Sequence, residues 1–214
     1  MKSIVLFGAT GGLGSQLKSL LEKKYTVVGL SSQDVDVLDF IELQKLFHTQ
    51  SFDVVLNLSG YNYDCFLHKY DEKSIYEAEK QIKINTLGTV NILANCLPHM
   101  RQKKYGRIIL ASSVLADSPV MASSVYTASK GFIDSIVRSV NLENINKGIT
   151  CNSLQLGYFD GGMCHRIPDH LQKNIKNNIG LKRWGTIEEL YKTVEYLIET
   201  EYITGQNIKI SGGL

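Results

Sequence analysis

Three side chains near the middle of the chain, Ser113, Tyr126 and Lys130, have the types and spacing of a proton-transfer site. Tyr126 and Lys130 are four residues apart, so on a helix they share one face and can act on one ligand. Ser113 lies thirteen positions before Tyr126, directly after an apolar run of strand length. A hydroxyl, a phenol and an ammonium group brought together indicate proton transfer to or from the oxygen of a substrate.

The elements that must position these side chains alternate between strand and helix. Apolar runs of strand length predict buried strands at residues 3–7, 26–30, 52–57, 108–111 and 149–156. Helices are predicted at about 74–95, from Tyr126 to about 147, and at 187–199. On the first of these helices we expect a packed side made of Ile75, Ala78, Ile82, Leu87 and Val90. The alternation predicts an α/β domain with a parallel sheet covered by helices on both faces.

A glycine-rich turn joins the first predicted strand to a helical run of leucines. Gly8, Gly12 and Gly14 follow residues 3–7 directly. Glycines let the backbone turn tightly and approach a pyrophosphate, while the helix N-terminus offers unpaired N–H groups to its charge. The alternative is a glycine-rich turn without a ligand. The turn predicts nucleotide binding by Gly8, Thr10, Gly11, Gly12, Leu13 and Gly14.

Length and composition exclude several classes of protein. The 214 residues are most simply one domain, and 43% hydrophobic with 21% charged residues is ordinary for a soluble globular protein. A net charge of +2 gives no reason to expect nucleic acid or a membrane as a partner. The four cysteines lack C-x-x-C spacing, so we expect reduced thiols, a cytoplasmic location and no metal site, because Cys164, His165 and His170 complete no ligand set.

The motifs together resemble the short-chain dehydrogenase/reductase family. They follow one another in the order that is typical of that family: the glycine turn, Asn57-Leu58-Ser59-Gly60, the Ser113–Lys130 set, and a closing stretch from Ile203 to Gly213. The resemblance implies a Rossmann fold with a doubly wound, seven-stranded parallel sheet. The few residues between Leu30 and Asp39 predict a shortened connection between strands two and three. It also implies a single NAD(P)-binding domain over residues 1–214, with residues about 158–180 as the substrate lid.

The resemblance assigns roles to the candidate residues. Tyr126 would be the general acid toward a carbonyl oxygen in reduction, and the base in the reverse direction. Lys130 would lower the pKa of Tyr126 and bind the nicotinamide ribose, and Ser113 would donate to the substrate oxygen. Asn85 would hold a water molecule that links Lys130 to solvent. The other implied cofactor contacts are Asp36 and Val37 beside the adenine, and Asn57, Ser59, Gly60, Gly157 and Phe159 toward the nicotinamide.

Two serines, Ser31 and Ser32, follow the second strand where Rossmann sheets place an acidic residue for the ribose 2′-hydroxyl. Their hydroxyl groups, with that of Thr10, can donate to a 2′-phosphate, so NADP(H) is expected over NAD(H). The implied function is a ketone–secondary alcohol oxidoreductase, closest in character to 3-oxoacyl-carrier-protein reductases, acting on a small molecule as a homotetramer or homodimer. The alternatives are a catalytically inactive nucleotide-sensing protein and a sugar-nucleotide dehydratase or epimerase.

Overall fold

Parallel strands form one sheet at the centre of the molecule, a computed structural model that describes residues 1–161, 164 and 167–214. The strands lie in the order β2-β1-β3-β4-β5-β6. Their bounds are β1 Ser3–Phe7, β2 Thr26–Leu30, β3 Val54–Asn57, β4 Gly106–Ser113, β5 Ile149–Leu156 and β6 Asn207–Ile210. Because every neighbouring pair is parallel, the carboxyl ends of all these strands meet at one edge of the sheet.

Helices connect the strands on both sides of the sheet. They are α1 Gly12–Leu21, α2 Phe40–Thr49, α3 Glu72–Ile82, α4 Gly88–Lys103, α5 Ser124–Asn144, α6 Asp169–Asn178 and α7 Ile187–Glu199. One π-helical turn, Lys83–Leu87, joins α3 to α4. None of the helices in the described part of the chain is long and apolar enough to cross a membrane.

Both faces of the sheet are buried, which confirms the predicted doubly wound architecture. Alternate residues of β1 point to opposite faces, so Ile4 and Leu6 enter one core while Val5 and Phe7 enter the other. The first core is closed by α1 and α7 through Leu17, Leu21, Leu190, Val194 and Leu197. The second is closed by α2, α4 and α5 through Leu43, Phe47, Ile92, Ile133 and Val137.

The predicted count of seven strands is wrong, because the described residues form six. Residues 31–39 contain turns and no strand between β2 and α2. A parallel strand needs a crossover of a dozen or more residues, and this segment is shorter than that. Val35 and Leu38 pack against the same core as Val28 and Leu30, so a loop closes this side of the sheet where a strand was expected.

The predicted packed side of the helix at about residues 74–95 is also wrong. Ile75, Ile82, Leu87 and Val90 are 58%, 48%, 48% and 37% exposed, and only Ala78 of the expected set is buried. The side facing the protein carries polar residues that bond to nearby loops and helices: Ser74, Gln81, Asn85, Thr89, Asn91 and Asn95. The apolar stripe therefore lies on the surface of α3 and α4.

Candidate active site

The three residues with which the sequence analysis began meet where β4 ends and α5 begins. Ser113 is the last residue of β4, and Tyr126 and Lys130 lie in the first two turns of α5. All three are nearly inaccessible, with exposures of 7%, 7% and 5%. The apolar core under β4 and α5 thus holds three polar groups at the edge where a parallel sheet places its ligands.

The Ser113 side chain lies within hydrogen-bonding reach of the Tyr126 phenol. The Ser113 hydroxyl accepts from the backbone N–H of Leu115 at 3.1 Å, which fixes its orientation. Burial raises the pKa of Tyr126 to about 12, and the contact with Ser113 acts in the opposite direction with a smaller effect. Tyr126 is therefore a neutral proton donor at neutral pH.

Lys130 extends under Tyr126 and reaches the end of β4. Its Nζ donates to the carbonyl oxygen of Ala111 at 2.8 Å and lies 5.6 Å from the centroid of the Tyr126 ring. Burial lowers the pKa of Lys130 to about 8. Burial of the phenol is the largest effect on the pKa of Tyr126, so the expectation that Lys130 stabilises the phenolate and lowers this pKa stays a prediction.

Asn85 lies in the π-helical turn between α3 and α4 and is 2% exposed. Its side chain accepts from the N–H of Tyr61 at 2.8 Å and donates to the carbonyl of Tyr61 at 2.9 Å. It also donates to the Ser129 hydroxyl, which donates in turn to the carbonyl of Tyr126. Asn85 thus ties the loop after β3 to the helix of Tyr126; the water-holding role stays a prediction.

The glycine turn after β1 is packed too tightly for any side chain at two positions. Gly8 has a φ of +79°, and a Cβ there would lie 2.8 Å from backbone atoms of Leu58 and Ser59. A Cβ on Gly14 would lie 2.1 Å from the Gly8 carbonyl oxygen. Thr10 and Gly11 are exposed, and no side chain caps the first turn of α1. This open turn and free helix N-terminus fit the pyrophosphate of a dinucleotide.

The turn after β3 continues this surface toward Lys130. The Asn57 side chain accepts from the backbone N–H of Ser59 at 3.0 Å and from its hydroxyl, so it orders the turn. Gly60 is exposed, and a Cβ on it would stand 3.4 Å from Asn85 Oδ1 and 3.5 Å from Lys130 Nζ. The backbone at Gly60 therefore passes close to the side chains of Asn85 and Lys130.

The carboxyl end of β2 carries a negative charge that the sequence analysis overlooked. Asp34 accepts from the backbone N–H of Ser31 at 2.8 Å and from its hydroxyl at 2.6 Å. The hydrogen bonds from Ser31 hold the pKa of Asp34 below its usual value, so it is ionised. The Ser31 hydroxyl therefore already has a hydrogen-bond acceptor in Asp34, whereas Ser32 and Thr10 are exposed.

Four of the residues predicted to contact the cofactor make contacts within the protein itself. The side chains of Val37 and Phe159 are buried in the two cores, so only their backbones can be offered to a ligand. Asp36 is exposed and accepts from the N–H of Leu38. Gly157 packs against the end of β6 and the next residue, since a Cβ there would lie 3.2 Å from the Ile210 carbonyl oxygen and 2.8 Å from Ser211 Cα.

The predicted lid is only partly described. Its residues 162–163 and 165–166, which include His165, lie outside the described part of the chain. Within the described part, Phe159 pairs with Gly185 through a bridge, and α6 occupies residues Asp169–Asn178.

Three residues of the site were missed in the sequence. Ser129 lies inside the Tyr126–Lys130 spacing, and its place one turn from Tyr126 could have shown that it faces the same neighbours. Tyr61 directly follows Gly60 but takes part through its backbone, which no residue type reveals. Asp34 lies twenty positions after Gly14, the distance at which Rossmann domains carry a ribose-binding acid, so this signal was available.

Comparison with known proteins agrees with this geometry. A family model described as enoyl-(acyl carrier protein) reductase matches residues 14–214. A 3-oxoacyl-(acyl-carrier-protein) reductase, FabG, of Rickettsia typhi is 25% identical over 235 residues, covering 100% of this chain and 96% of that protein. FabG of Buchnera aphidicola is 28% identical over 239 residues, covering 100% and 97%. The reductase MabA of Mycobacterium bovis is 28% identical over 193 residues, covering 87% and 77%.

The matched residues begin at Gly14, the last glycine of the turn, and include the set from Asn85 to Lys130. The chain belongs to the short-chain dehydrogenase/reductase family and is an NAD(P)(H)-dependent oxidoreductase that interconverts a ketone and a secondary alcohol.

Proposed function

We propose that this protein reduces the ketone of a 3-oxoacyl thioester to a secondary alcohol, with Tyr126 as the proton donor. The observation that carries the proposal is the buried phenol of Tyr126, which lies within reach of Ser113 and beside the Lys130 ammonium. The printed names of the similar reductases support the choice of a 3-oxoacyl substrate. No comparison favours a sensing protein or a sugar-nucleotide dehydratase or epimerase.

Tyr126 and Ser113 have different roles in the reduction of the carbonyl group. A reduced nicotinamide, when bound, would supply the hydride to the carbonyl carbon. Tyr126 gives its phenolic proton to the carbonyl oxygen as negative charge develops there, and Ser113 donates a hydrogen bond to the same oxygen. Because the pKa of Tyr126 is raised to about 12, the resulting phenolate readily takes a proton back, so the acid is restored for the next turnover.

Lys130 and Asn85 position this pair. Lys130 anchors to Ala111 at the end of β4 and places its positive charge under the Tyr126 ring, where it stabilises the phenolate left after proton transfer. Asn85 keeps the loop of Gly60 and Tyr61 in register with α5. The cofactor-binding surface then runs from Gly8 past Gly60 to Lys130.

The choice between the two dinucleotides depends on Asp34. The preference for NADP(H) expected from the sequence rests on Ser32 and Thr10 alone, because the Ser31 hydroxyl donates to Asp34. A 2′-phosphate at this end of β2 would be repelled by the carboxylate, while a free 2′-hydroxyl could donate to it. We expect Asp34→Asn to tighten NADPH binding relative to NADH, by roughly tenfold for one nearby charge.

Isothermal titration with each reduced dinucleotide measures this choice without any turnover. The neutral substitution Asp117→Asn, at an exposed carboxylate paired with Lys209, controls for the overall change in charge. An NADPH-to-NADH affinity ratio that is the same in Asp34→Asn and wild type would remove Asp34 from the site. NADH binding tighter than NADPH in the wild-type protein would refute the NADP(H) preference.

The test of function compares Tyr126→Phe with the wild type on acetoacetyl-coenzyme A. Loss of a general acid reduces kcat by about 10²- to 10⁴-fold, with the cofactor Kd nearly unchanged. Tyr25→Phe is the matched control, since Tyr25 is 4% exposed and its phenol donates to Glu199, the last residue of α7. Wild-type turnover in Tyr126→Phe would refute the assignment, and turnover of crotonyl-coenzyme A alone would refute the ketone substrate.

We also propose that the protein self-associates through α3 and α4. The exposed stripe of Ile75, Ile82, Leu87 and Val90 supports a homotetramer or homodimer, because soluble proteins cover apolar patches of this kind. Light scattering on Ile75→Glu tests it, with dissociation as the expected result.

The four free cysteines, three of them buried, support a cytoplasmic location.

A further inference from the structure

A buried carboxylate, Asp134, lies one turn beyond Lys130 on α5. Tyr126, Lys130 and Asp134 follow one another at intervals of four residues, so they line one face of the helix. Asp134 is 5% exposed. Removing a carboxylate from water is costly unless neighbours compensate, so an acid in this position calls for a specific explanation.

Two neutral groups of β5 hold the carboxylate in place. Asp134 Oδ1 accepts from the Ser153 hydroxyl at 2.7 Å, and Oδ2 accepts from the Gln155 side-chain amide at 2.8 Å. Both donors orient the carboxylate without cancelling its charge. Two cations lie four residues from Asp134 along the helix, Lys130 on one side and Arg138 on the other, and Lys130 is 5% exposed.

The other charged groups around this face are engaged elsewhere. Arg138, one turn further along α5, reaches the Asn207 amide oxygen at 3.1 Å when that amide is turned to suit its neighbours. Lys209 of β6 pairs with Asp117 at 3.3 Å. Asp64, in the loop after β3, raises the pKa of Tyr126 through its charge. Two strands pack against this face of α5. β4 contributes the hydroxyls of Ser112 and Ser113, and β5 contributes the Ser153 hydroxyl and the Gln155 side-chain amide.

We propose that Asp134 is a positioning residue that keeps buried Lys130 in its charged, ammonium form beside Tyr126. Burial lowers the pKa of Lys130 to about 8, and the Asp134 charge opposes that shift. An unopposed buried lysine would be largely neutral at neutral pH and could not stabilise a phenolate. The inference rests on the proposed roles of Tyr126 and Lys130.

The experiment follows Lys130 directly, with lysines labelled with ¹³C at the ε-carbon and their chemical shifts recorded against pH. The Lys130 resonance is identified by its absence in Lys130→Met. We expect Asp134→Asn to lower the Lys130 titration midpoint by about one pH unit or more, as a buried charge one helical turn away predicts. Asp134→Glu, which keeps the charge, should restore the midpoint to within roughly 0.3 unit of wild type.

Ser153→Ala is the structural control, because it removes a bond to Asp134 and leaves the charge. It should reduce thermal stability while the Lys130 midpoint changes little. Asp134→Ser provides a second neutral variant if Asp134→Asn does not fold. A wild-type midpoint in a folded neutral variant would overturn the inference.

The pH dependence of turnover tests the proposed function separately from the inference about Asp134. The alkaline limb of kcat/KM should move to lower pH together with the Lys130 midpoint in Asp134→Asn. If the midpoint moves and the limb does not, the effect of Asp134 on Lys130 is established and the catalytic role of Lys130 is refuted.

Discussion

Replacing Asn85 with alanine tests whether this side chain fixes the loop that leads from Gly60 into the site. The substitution removes three hydrogen bonds: from Tyr61 N–H at 2.8 Å, to the Tyr61 carbonyl at 2.9 Å, and to the Ser129 hydroxyl at 2.9 Å. Two backbone groups of Tyr61 lose their partners. Ser129 still donates to the carbonyl of Tyr126, so it keeps one bond.

The expected loss of stability follows from these bonds. A hydrogen bond contributes about 1 kcal/mol, and a buried group left without a partner costs about 1–3 kcal/mol. Tyr61 is half-buried, so water can replace part of what its backbone loses. We therefore expect the free energy of unfolding to fall by about 3 kcal/mol, which lowers the urea midpoint by about 1 M at an m-value of about 3 kcal/mol per molar.

Urea unfolding followed by circular dichroism measures this loss, and kcat measures the effect on the site. Asn144→Ala is the matched control: Asn144 is 2% exposed, accepts from Arg101 at 2.8 Å and donates to Val140 at 2.7 Å. It lies at the other end of α5, so it should lose stability and keep kcat. An Asn85→Ala protein with the wild-type urea midpoint but little activity would refute the loop-fixing role and indicate a direct one.

Four further predictions concern two glycines and the two buried titratable groups. Gly14→Ala should weaken dinucleotide binding at least about tenfold in a titration, since its Cβ would meet the Gly8 carbonyl oxygen at 2.1 Å. Gly131→Ala, whose Cβ meets nothing within 4 Å, should instead raise stability by about 0.5–1 kcal/mol. Lys130→Met should be more stable than wild type at pH 7 by on the order of 2–3 kcal/mol. Because the folded-state pKa of Lys130 is lowered to about 8, the unfolded chain binds more protons above it. Wild-type stability therefore recovers as pH rises from about 8 to 10.5, and urea unfolding at pH 7 and 9.5 should show the gap closing. Tyrosinate absorbance at pH 10.5 should be nearly equal in wild type and Tyr126→Phe, because a pKa of about 12 leaves Tyr126 protonated; a difference of most of one tyrosine would refute the effect of burial.

The parts of the fold that were predictable are those with a strong local pattern. The strand at Ile149–Leu156 and the helix at Ile187–Glu199 have the predicted bounds, since an unbroken apolar run and a capping box at Thr186 mark them. The strand expected between β2 and α2 came from the resemblance, whereas the nine residues 31–39 are too few for a crossover and a parallel strand.

The buried side of α3 and α4 could not be predicted from its pattern. An apolar stripe ordinarily marks the core side of a helix, yet here Asn85, Gln81 and Asn91 also face inward, because they bond to loops. Those partners are backbone groups far away in sequence. Beside these polar side chains, α4 buries Ile92, Leu93 and Cys96 in the core. The placing of Ser113, Tyr126 and Lys130 at one sheet edge was predictable, whereas the pKa of Tyr126 depends on burial and required the structure.

The loop that replaces a strand beside β2 has a consequence for how the molecule opens. β2 has β1 as its hydrogen-bonded neighbour on one side, and on the other the core is closed by Val35 and Leu38 of this loop. An edge with so few hydrogen-bonded neighbours should exchange its amide hydrogens with solvent earlier than β4 or β5. Local opening at β2 would release the surface around Asp34 while leaving Tyr126 and Lys130 in place, so amide protection of Thr26–Leu30 should report dinucleotide occupancy.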